Sequence, residues 1–348
     1  MRVLFVINSL EAKFPVDLAA HLQSGGACEV AIFPLLRPGR RSQSFFHKLG
    51  FLLQLPLIIH RMRRKIRNWQ PDIIHTHFWL SDIIGAIAAR PFSNVRLIST
   101  QHDAAALPKF VRDRKRTALQ HFSAVIAVSK AVAEFTIRRF DVPAALVSTI
   151  YNGIDTRKFL QGAKPVPDSP VIGCIARLEP IKGVDIFIEA LALLPTHQKE
   201  MVHAIVIGNG SEREMLESRV KNAGLSEAVR FVGAKQELVQ HYQHLDVVVV
   251  PSRSEGLSVT IIEALASQKL VIASDIGGIP ELIIHGQTGL LVQAGSAQPL
   301  SETIQWAMEN PEQSQMIAAR GHAWLLAHPQ FDIAETIRSY QKIYAALI

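Results

Sequence analysis

Short runs of β-branched residues, each followed by a helix-periodic or polar stretch, recur along the whole 348-residue chain. In the first half these runs are residues 3–7, Val30–Pro34, Asp72–His75, Leu97–Thr100, Val125–Val128 and Val147–Tyr151. Alternation of this kind predicts a doubly wound parallel sheet, because parallel neighbours are joined by crossovers long enough to hold a helix. The stretch QGAKPVPDSP, residues 161–170, has three prolines and no periodicity and reads as a linker. Strand-like runs resume at Val171–Ile175, Ala204–Ile207, Val229–Val232, Val247–Val250 and Val271–Ala273, which implies a second α/β domain. The expected boundaries are 1–165 and 166–331, followed by a helix-periodic segment at 332–348.

The run Val247–Val250 is opened by Asp246 and closed by Pro251, and its unbroken apolar character suits a strand buried on both faces. A polar turn, SRSEG, comes next. Val259, Ile262 and Leu265 or Ala266 then recur at helical spacing, so a helix is expected from about Leu257 or Ser258, with Glu263 on it roughly two turns beyond Glu255. This places a carboxylate at a strand's carboxyl end beside a helix N-terminus. Free N–H groups there attract phosphate, and open α/β sheets bind ligands at that edge.

Two glutamates separated by seven residues mean little alone, but their neighbours make the pattern specific. PSRSEGLSVTIIEALA is accompanied by ARLEPIKG at 176–183, GNGS at 208–211, GGIPE at 277–281 and HGQTGLLV at 285–292. In this order the motifs resemble those of the retaining glycosyltransferases of family 4, also called group 1. The resemblance implies the GT-B fold: two Rossmann-like domains whose parallel sheets face an interdomain cleft, the first binding acceptor and the second a nucleotide sugar. It also implies that the terminal helix packs back on the first domain. Arg177 and Lys182 would bind the donor diphosphate, Glu255 would contact the donor sugar, and Glu263 would accept hydrogen bonds from the ribose hydroxyls. Backbone N–H groups around Gly256, Leu257 and Ser258 would face phosphate, and Gly208 and Gly210 would let the chain approach the nucleotide. His102, in TQHD after the fourth strand, would face the donor sugar, with Asp103 a weaker candidate for the acceptor; outside the family pattern the pair is a turn with a helix cap. Ser129 and NGID at 152–155 match further landmarks of the family, although NGID is equally a turn into the linker.

No separate cofactor is implied. The co-substrate is a nucleotide sugar, first of all a UDP-sugar, with a GDP-sugar as the alternative. The acceptor is a glycan, expected to be lipid-linked, in the synthesis of bacterial cell-surface polysaccharide or glycolipid. No metal is expected, since fixed cations stabilise a departing diphosphate. His75 and His77 share one face of a strand but lack further ligands at suitable spacing. A glycosidase-like use of the two glutamates, which needs about 5 Å between carboxylates, is disfavoured by their separation. The loop after the first strand, NSLEAKFPVDLAAHL, lacks the glycines usual in the family, which motivates an alternative: a nucleotide-sugar-binding or scaffold subunit without turnover.

Composition adds a charge asymmetry. Residues 1–168 hold 24 lysines and arginines against 11 acids, whereas the remainder holds 13 against 19. A basic half can serve nucleic acid or an anionic membrane. No helix-turn-helix, zinc finger or RNA-binding aromatic motif is present, which argues against nucleic acid. Between Phe45 and Arg67 an apolar stretch broken by Gly50, Gln54 and Pro56 is too short to span a bilayer, where about 20 residues are needed. Phe45, Phe46, Phe51, Leu52, Leu55, Leu57, Ile58 and Ile59, followed by Arg61, Arg63, Arg64, Lys65 and Arg67, make a patch suited to an anionic interface, the alternative being a core-packing helix with a solvated basic end. Lys109, Arg112, Arg114, Lys115 and Arg116 either enlarge that surface or form a solvated helix face. Cys28 and Cys174 lie in apolar runs and read as buried thiols rather than a disulfide. With a strand at residues 3–7 and no leader before it, a cytoplasmic protein, peripheral on the inner membrane, is expected. A nicotinamide-dependent oxidoreductase fails at the first turn, which lacks G-x-G-x-x-G. A GT-B epimerase or phosphorylase stays open.

Overall fold

The alternation resolves into twelve strands and thirteen α-helices among the described residues of the computed structural model. Those residues are 1–9, 13–26, 28–36, 45–104, 106–160, 169–235 and 237–348, the side chains of Lys13 and of residues 45–53 excepted. Most of the linker stretch, and part of the glycine-free first loop, lie outside them. Two compact units result: Met1–Asn152 together with Ala334–Ile348, and Gly153–Ile333.

The first unit contains β1 (Arg2–Ile7), α1 (Lys13–Ser24), β2 (Glu29–Pro34), α2 (Phe45–Trp69), β3 (Ile73–His77), α3 (Trp79–Ala89), β4 (Arg96–Gln101), α4 (Lys109–Leu119), β5 (Ala124–Ala127), α5 (Lys130–Phe140) and β6 (Val147–Thr149). The six strands are all parallel, in the order β2-β1-β3-β4-β5-β6. Successive residues of a strand point to opposite faces, and the core divides accordingly. Leu4, Val6, Ile74, Leu97 and Val125 join Ile58, Met62 and Ile66 of α2 in one cluster. Val3, Phe5, Ile73, Ile98 and Ile126 join Leu18 and Leu22 of α1 in the other.

The second unit contains β7 (Val171–Ile175), α6 (Val184–Leu193), α7 (Thr196–Met201), β8 (His203–Ile207), α8 (Arg213–Asn222), β9 (Val229–Gly233), α9 (Val239–Gln243), β10 (Val247–Val250), α10 (Val259–Ala266), β11 (Leu270–Ser274), β12 (Leu290–Val292), α11 (Ala297–Glu309) and α12 (Pro311–Leu326). Its sheet runs β12-β11-β10-β7-β8-β9, again parallel throughout. The four valines of β10 are buried on both faces, as their unbroken apolar run predicts. β12 is an edge strand of three residues lying inside HGQTGLLV, which the sequence presents as a motif rather than a strand. Near the boundary, residues 153–160 lie with this unit, and Ile154 pairs with Asp332.

The last helix, α13 (Ile333–Leu347), belongs with the first unit almost entirely, although it follows the second in sequence. Tyr340 and Tyr344 sit in the same cluster as Val3 and Phe5 and are fully buried. A buried phenol needs a partner for its hydroxyl. Tyr344 finds His75 Nδ1 at 2.6 Å, and Tyr340 finds Thr100 Oγ1 at 3.2 Å.

Of the two basic helices, α2 takes the core-packing alternative with a solvated basic end, and α4 departs from its sequence reading at Lys115. α2 continues through Pro56 and turns Ile58 into the core, while Leu57 is 58% exposed and Arg61, Arg64 and Arg67 face solvent. The side chains of Phe45, Phe46, Phe51 and Leu52 lie outside the described residues. No helix among those described is long and apolar enough to cross a membrane. Lys115 leaves the expected surface cluster altogether. It is 4% exposed, with its ammonium 3.8 Å from the carboxylate of the equally buried Asp82 and 4.4 Å from the Phe140 ring centroid. Asp82 also accepts from Thr76 and Ser99 at 2.6 Å each and from Gln101 at 3.0 Å. Helical periodicity placed Lys115 among basic neighbours, but a cation on that side of α4 has a buried anion to meet.

Removing one member of a buried pair leaves the other charge uncompensated. Asp82→Ala is therefore expected to cost the first unit about 3–5 kcal/mol, read by urea unfolding with fluorescence. Asp82→Asn combined with Lys115→Met should recover most of that loss; equal losses in both variants would mean the ion pair contributes nothing.

Candidate active site

β7 and β10 are neighbours in the second sheet, so the loops leaving their carboxyl ends lie side by side. Arg253 joins the two loops. Its backbone N–H donates to Ile181 O at 2.8 Å, and its guanidinium donates to Pro180 O at 2.8 Å and to both oxygens of Asp185 at 2.7 Å. A two-pronged guanidinium–carboxylate contact fixes direction as well as distance. Across this junction Lys182 Nζ lies 2.6 Å from Glu255 Oε1, which also accepts from Ser252 Oγ at 3.0 Å. With side chains only 20% and 10% exposed, the Lys182–Glu255 pair is screened less than one on the open surface. A third loop, after β11, closes from the other side. Gly277 has φ +57°, and a Cβ there would fall 1.9 Å from the carbonyl oxygen of Glu255. Only glycine lets GGIPE lie against the backbone that carries Glu255.

The other expected donor-site residues lie on the β7, β8 and β10 loops and on α10. Arg177 does not join it: Nη1 sits 2.6 Å from Glu179 Oε1, and the side chain is 53% exposed. Gly208, at φ +151°, and Gly210 make room for a neighbour in the chain itself. A Cβ on the first would fall 1.8 Å from Ala176 O, and on the second 2.3 Å from Leu178 O. The close approach read in those glycines is thus made, in the structure, to the loop carrying Arg177. Gly256, Leu257 and Ser258 are buried, and α10 starts at Val259 without a side-chain cap from Ser258. Glu263, 7% exposed, receives the hydroxyl of fully buried Tyr242 on Oε2 at 3.0 Å. Burial and the adjacent Glu263 carboxylate push the Tyr242 phenol well above its ordinary pKa, so it remains a donor.

In the first unit, the carboxyl ends of β3 and β4 gather three histidines. His77 Nδ1 lies 2.9 Å from His102 Nε2, and the rings stack with centroids 5.2 Å apart. Phe78 stacks on the His102 ring at 4.7 Å, and Phe14 meets it edge-on at 6.0 Å. Phe78 achieves this at φ 74°, ψ 157°, a region that costs a non-glycine residue about 1–3 kcal/mol. His75 stands between Tyr344 and Thr100, the latter at 2.7 Å from Nε2. Burial, reinforced by the neighbouring His102, brings the His75 pKa to about 3. Burial also brings His102 to about 3, with the Lys115 charge adding to it. His102 is only half-buried as a whole residue, but its ring is enclosed by Phe14, Phe78 and His77, and the ring is what titrates. Burial holds His77 well below its usual range. His77 Nε2 is buried without a hydrogen-bond partner. A bare lone pair there is less costly than an unmade N–H, which puts the shared proton on His77 Nδ1 and leaves His102 with its proton on Nδ1.

Asp103 is exposed beside His102, and Ser129 caps α5 by accepting from Val132 N at 3.2 Å. Asn152 is buried. Among the described residues no group of three or more His, Cys, Asp or Glu is arranged to hold a metal ion. Cys28 and Cys174 are buried free thiols.

Two doubly wound parallel units are the GT-B fold, and solved structures of that class share it. Anabaena HepE in complex with UDP-glucose has a TM-score of 0.82 at 24% identity, covering 99% of this chain and 100% of that one. Sucrose-phosphate synthase from Thermosynechococcus elongatus has a TM-score of 0.84 at 20% identity, covering 100% and 99%. Residues 5–158 match the family described as Glycosyltransferase Family 4, and residues 155–324 match Glycosyl transferases group 1. The chain belongs to this glycosyltransferase family. Among curated relatives, D-inositol 3-phosphate glycosyltransferase of Corynebacterium urealyticum is 28% identical over 70% of this chain and 64% of its own length. Lipopolysaccharide core biosynthesis mannosyltransferase LpcC of Rhizobium leguminosarum is 32% identical over 53% of this chain and 54% of its own.

Sequence reasoning missed Tyr242, Ser252, Arg253 and Asp185 in the second unit and Phe78 in the first. Ser252 and Arg253 lie inside a recognised motif, but their partners lie in another loop or in the fold of the turn. Tyr242 carries only a weak signal, a phenol one turn before a fully buried strand.

The three depressed histidines predict that the first unit loses stability in acid. A histidine held neutral with a depressed pKa contributes stability that is present above its unfolded value near 6.5 and is lost as pH falls below it, by up to about 1.4 kcal/mol per pH unit for each ring. The unfolding transition reporting Trp69 and Trp79 is expected to fall between pH 7.5 and 5, with a shallower dependence in His77→Asn. A midpoint that stays put over that range would show the rings to be solvated.

Proposed function

We propose that this chain is a retaining glycosyltransferase that moves a sugar from a nucleotide-sugar donor onto a glycan or lipid-linked acceptor. The observation that carries the reading is the Lys182–Glu255 pair, fixed at 2.6 Å between two loops at the carboxyl edge of the second sheet. Sugar transfer breaks the bond from C1 to the diphosphate, so negative charge grows on the leaving group. A cation already fixed in place stabilises that charge without reorganising during the reaction. Lys182 supplies it, and Arg177 joins by exchanging Glu179 for phosphate. With both in place the positive charge comes from the chain and no metal is called for. Glu255 contacts the sugar, Glu263 accepts from the ribose hydroxyls, and the N–H groups of Gly256, Leu257 and Ser258 face phosphate. His102, whose Nδ1 bears the proton, serves the sugar being transferred. Retention follows if the acceptor oxygen attacks the face from which diphosphate departs and hands its proton to the departing phosphate oxygen. The UDP-glucose complex of Anabaena HepE makes a UDP-sugar the first donor to try, and a GDP-sugar the second.

Purified protein is expected to gain thermal stability with one nucleotide sugar of a UDP and GDP panel, by roughly 2.7 kcal/mol at a hundred times the dissociation constant. Lys182→Ala should cut turnover about 10²–10³-fold. Glu255→Gln should keep the shift and lose most turnover. A shift without turnover under any acceptor would favour the alternative of a binding or scaffold subunit, and unchanged turnover in Glu255→Gln would remove Glu255 from the mechanism.

The basic first half supports a second element of the reading, attachment to the cytoplasmic face of an anionic membrane. Phe110 of α4 is 66% exposed, with Arg114 4.1 Å over its ring and Lys109 on the exposed part of the helix, while Arg116 is already paired with Asp141. Each such cation contributes about 1 kcal/mol near an anionic surface. Co-sedimentation with phosphatidylglycerol-containing vesicles is expected, weakening in Phe110→Ser and with added salt. Equal binding to neutral vesicles would overturn it.

A further inference from the structure

We infer that Tyr242 is the positioning residue through which Glu263 tells a ribonucleotide from its 2′-deoxy counterpart. The inference rests on the donor-site reading above and names a residue no motif includes. Three observations carry it. The phenol is fully buried, so its hydroxyl has to be satisfied within the protein. Its hydroxyl meets Glu263 Oε2 at 3.0 Å, with Thr260 O at 3.3 Å as a second, longer acceptor. The ring is held from the side by Phe159, edge-on with centroids 5.7 Å apart.

The phenol and the carboxylate come from different elements, α9 and α10, separated by β10 in the chain. Glu263 stands on the helix that follows the Glu255 loop, and a glutamate there has rotatable bonds enough to point elsewhere. Tyr242 removes that freedom on one side: a rigid ring in a closed setting places one donor at one distance from one carboxylate oxygen. Burial and the Glu263 charge raise the phenol well above its ordinary pKa, so it stays a donor near neutral pH. A carboxylate oriented in advance makes strong hydrogen bonds to hydroxyls that come to it. It is left with an unpaired lone pair when a hydroxyl is missing, and such an absence is penalised most at a buried polar group.

The test is the ratio of affinities for UDP and 2′-deoxy-UDP, with GDP and 2′-deoxy-GDP in parallel, measured by calorimetry on the full chain. Wild type should prefer the ribonucleotide. Tyr242→Phe, which keeps the ring and removes only the hydroxyl, should reduce that preference by roughly tenfold while leaving affinity for the deoxynucleotide close to wild type. In a Glu263→Gln background the same substitution should change the ratio much less, as expected for a residue that acts through Glu263. A preference retained in full by Tyr242→Phe would overturn the inference, as would an equal loss for both nucleotides, which would mark Tyr242 as packing alone. No ribonucleotide preference in wild type would instead overturn the role given to Glu263, and this inference with it. If Tyr242→Phe folds poorly, Phe159→Leu, which loosens the ring while keeping the hydroxyl, should lower the preference in the same direction.

Discussion

Lys182 stands 2.6 Å from Glu255 because two parallel strands distant in sequence are adjacent in space. β7 and β10 are separated by β8 and β9 in the chain, and the doubly wound order brings them back together in the middle of the sheet. Arg253 and Gly277 then convert adjacency into fixed geometry, one by bonding across the loops and the other by occupying no space. A buried run of four valines supports the whole arrangement from below. Apolar burial is non-directional, so it supplies the platform, and the polar contacts above it supply the direction.

The first unit solves a different problem, namely how to keep imidazole rings neutral and oriented inside a sheet. Aromatic rings from β1, the α1 region and the β3–α3 turn surround them, and Tyr340 and Tyr344 reach them from a helix at the far end of the sequence. Asp82 and Lys115 lie in the same neighbourhood as an internal ion pair. The result is a half-domain whose polar groups are handled inside the core rather than at its rim, which is costly unless the partners are well placed.

Much of the architecture was legible because period-2 and period-3.6 patterns report burial directly. Eleven of the strands leave such a pattern; β12 does not stand out, because Leu290–Val292 falls inside HGQTGLLV and reads as part of that motif. The motif residues were legible as a set, but their reasons were less so. Gly208 and Gly210 read as an opening for a ligand, whereas the carbonyls of Ala176 and Leu178 already require them. Lys115 read as one of several basic residues, since nothing near it in sequence announces Asp82. The Tyr242–Glu263 contact spans 21 residues and two elements, and side-chain pairing at that range is settled by packing rather than by local pattern.

The placement of α13 also sets a timetable. One face of the first sheet, with Val3, Phe5 and Ile98, is completed only by residues 334–348, after the entire second unit. A ribosome adding roughly 5–20 residues per second needs on the order of 10–40 seconds to make the intervening stretch. During that interval α1 covers part of that face, the part that Tyr340 and Tyr344 will cover stays open, and His75 lacks the phenol that will meet it. The last helix is thus a clasp, closing the first unit only when synthesis of the chain has passed through the second.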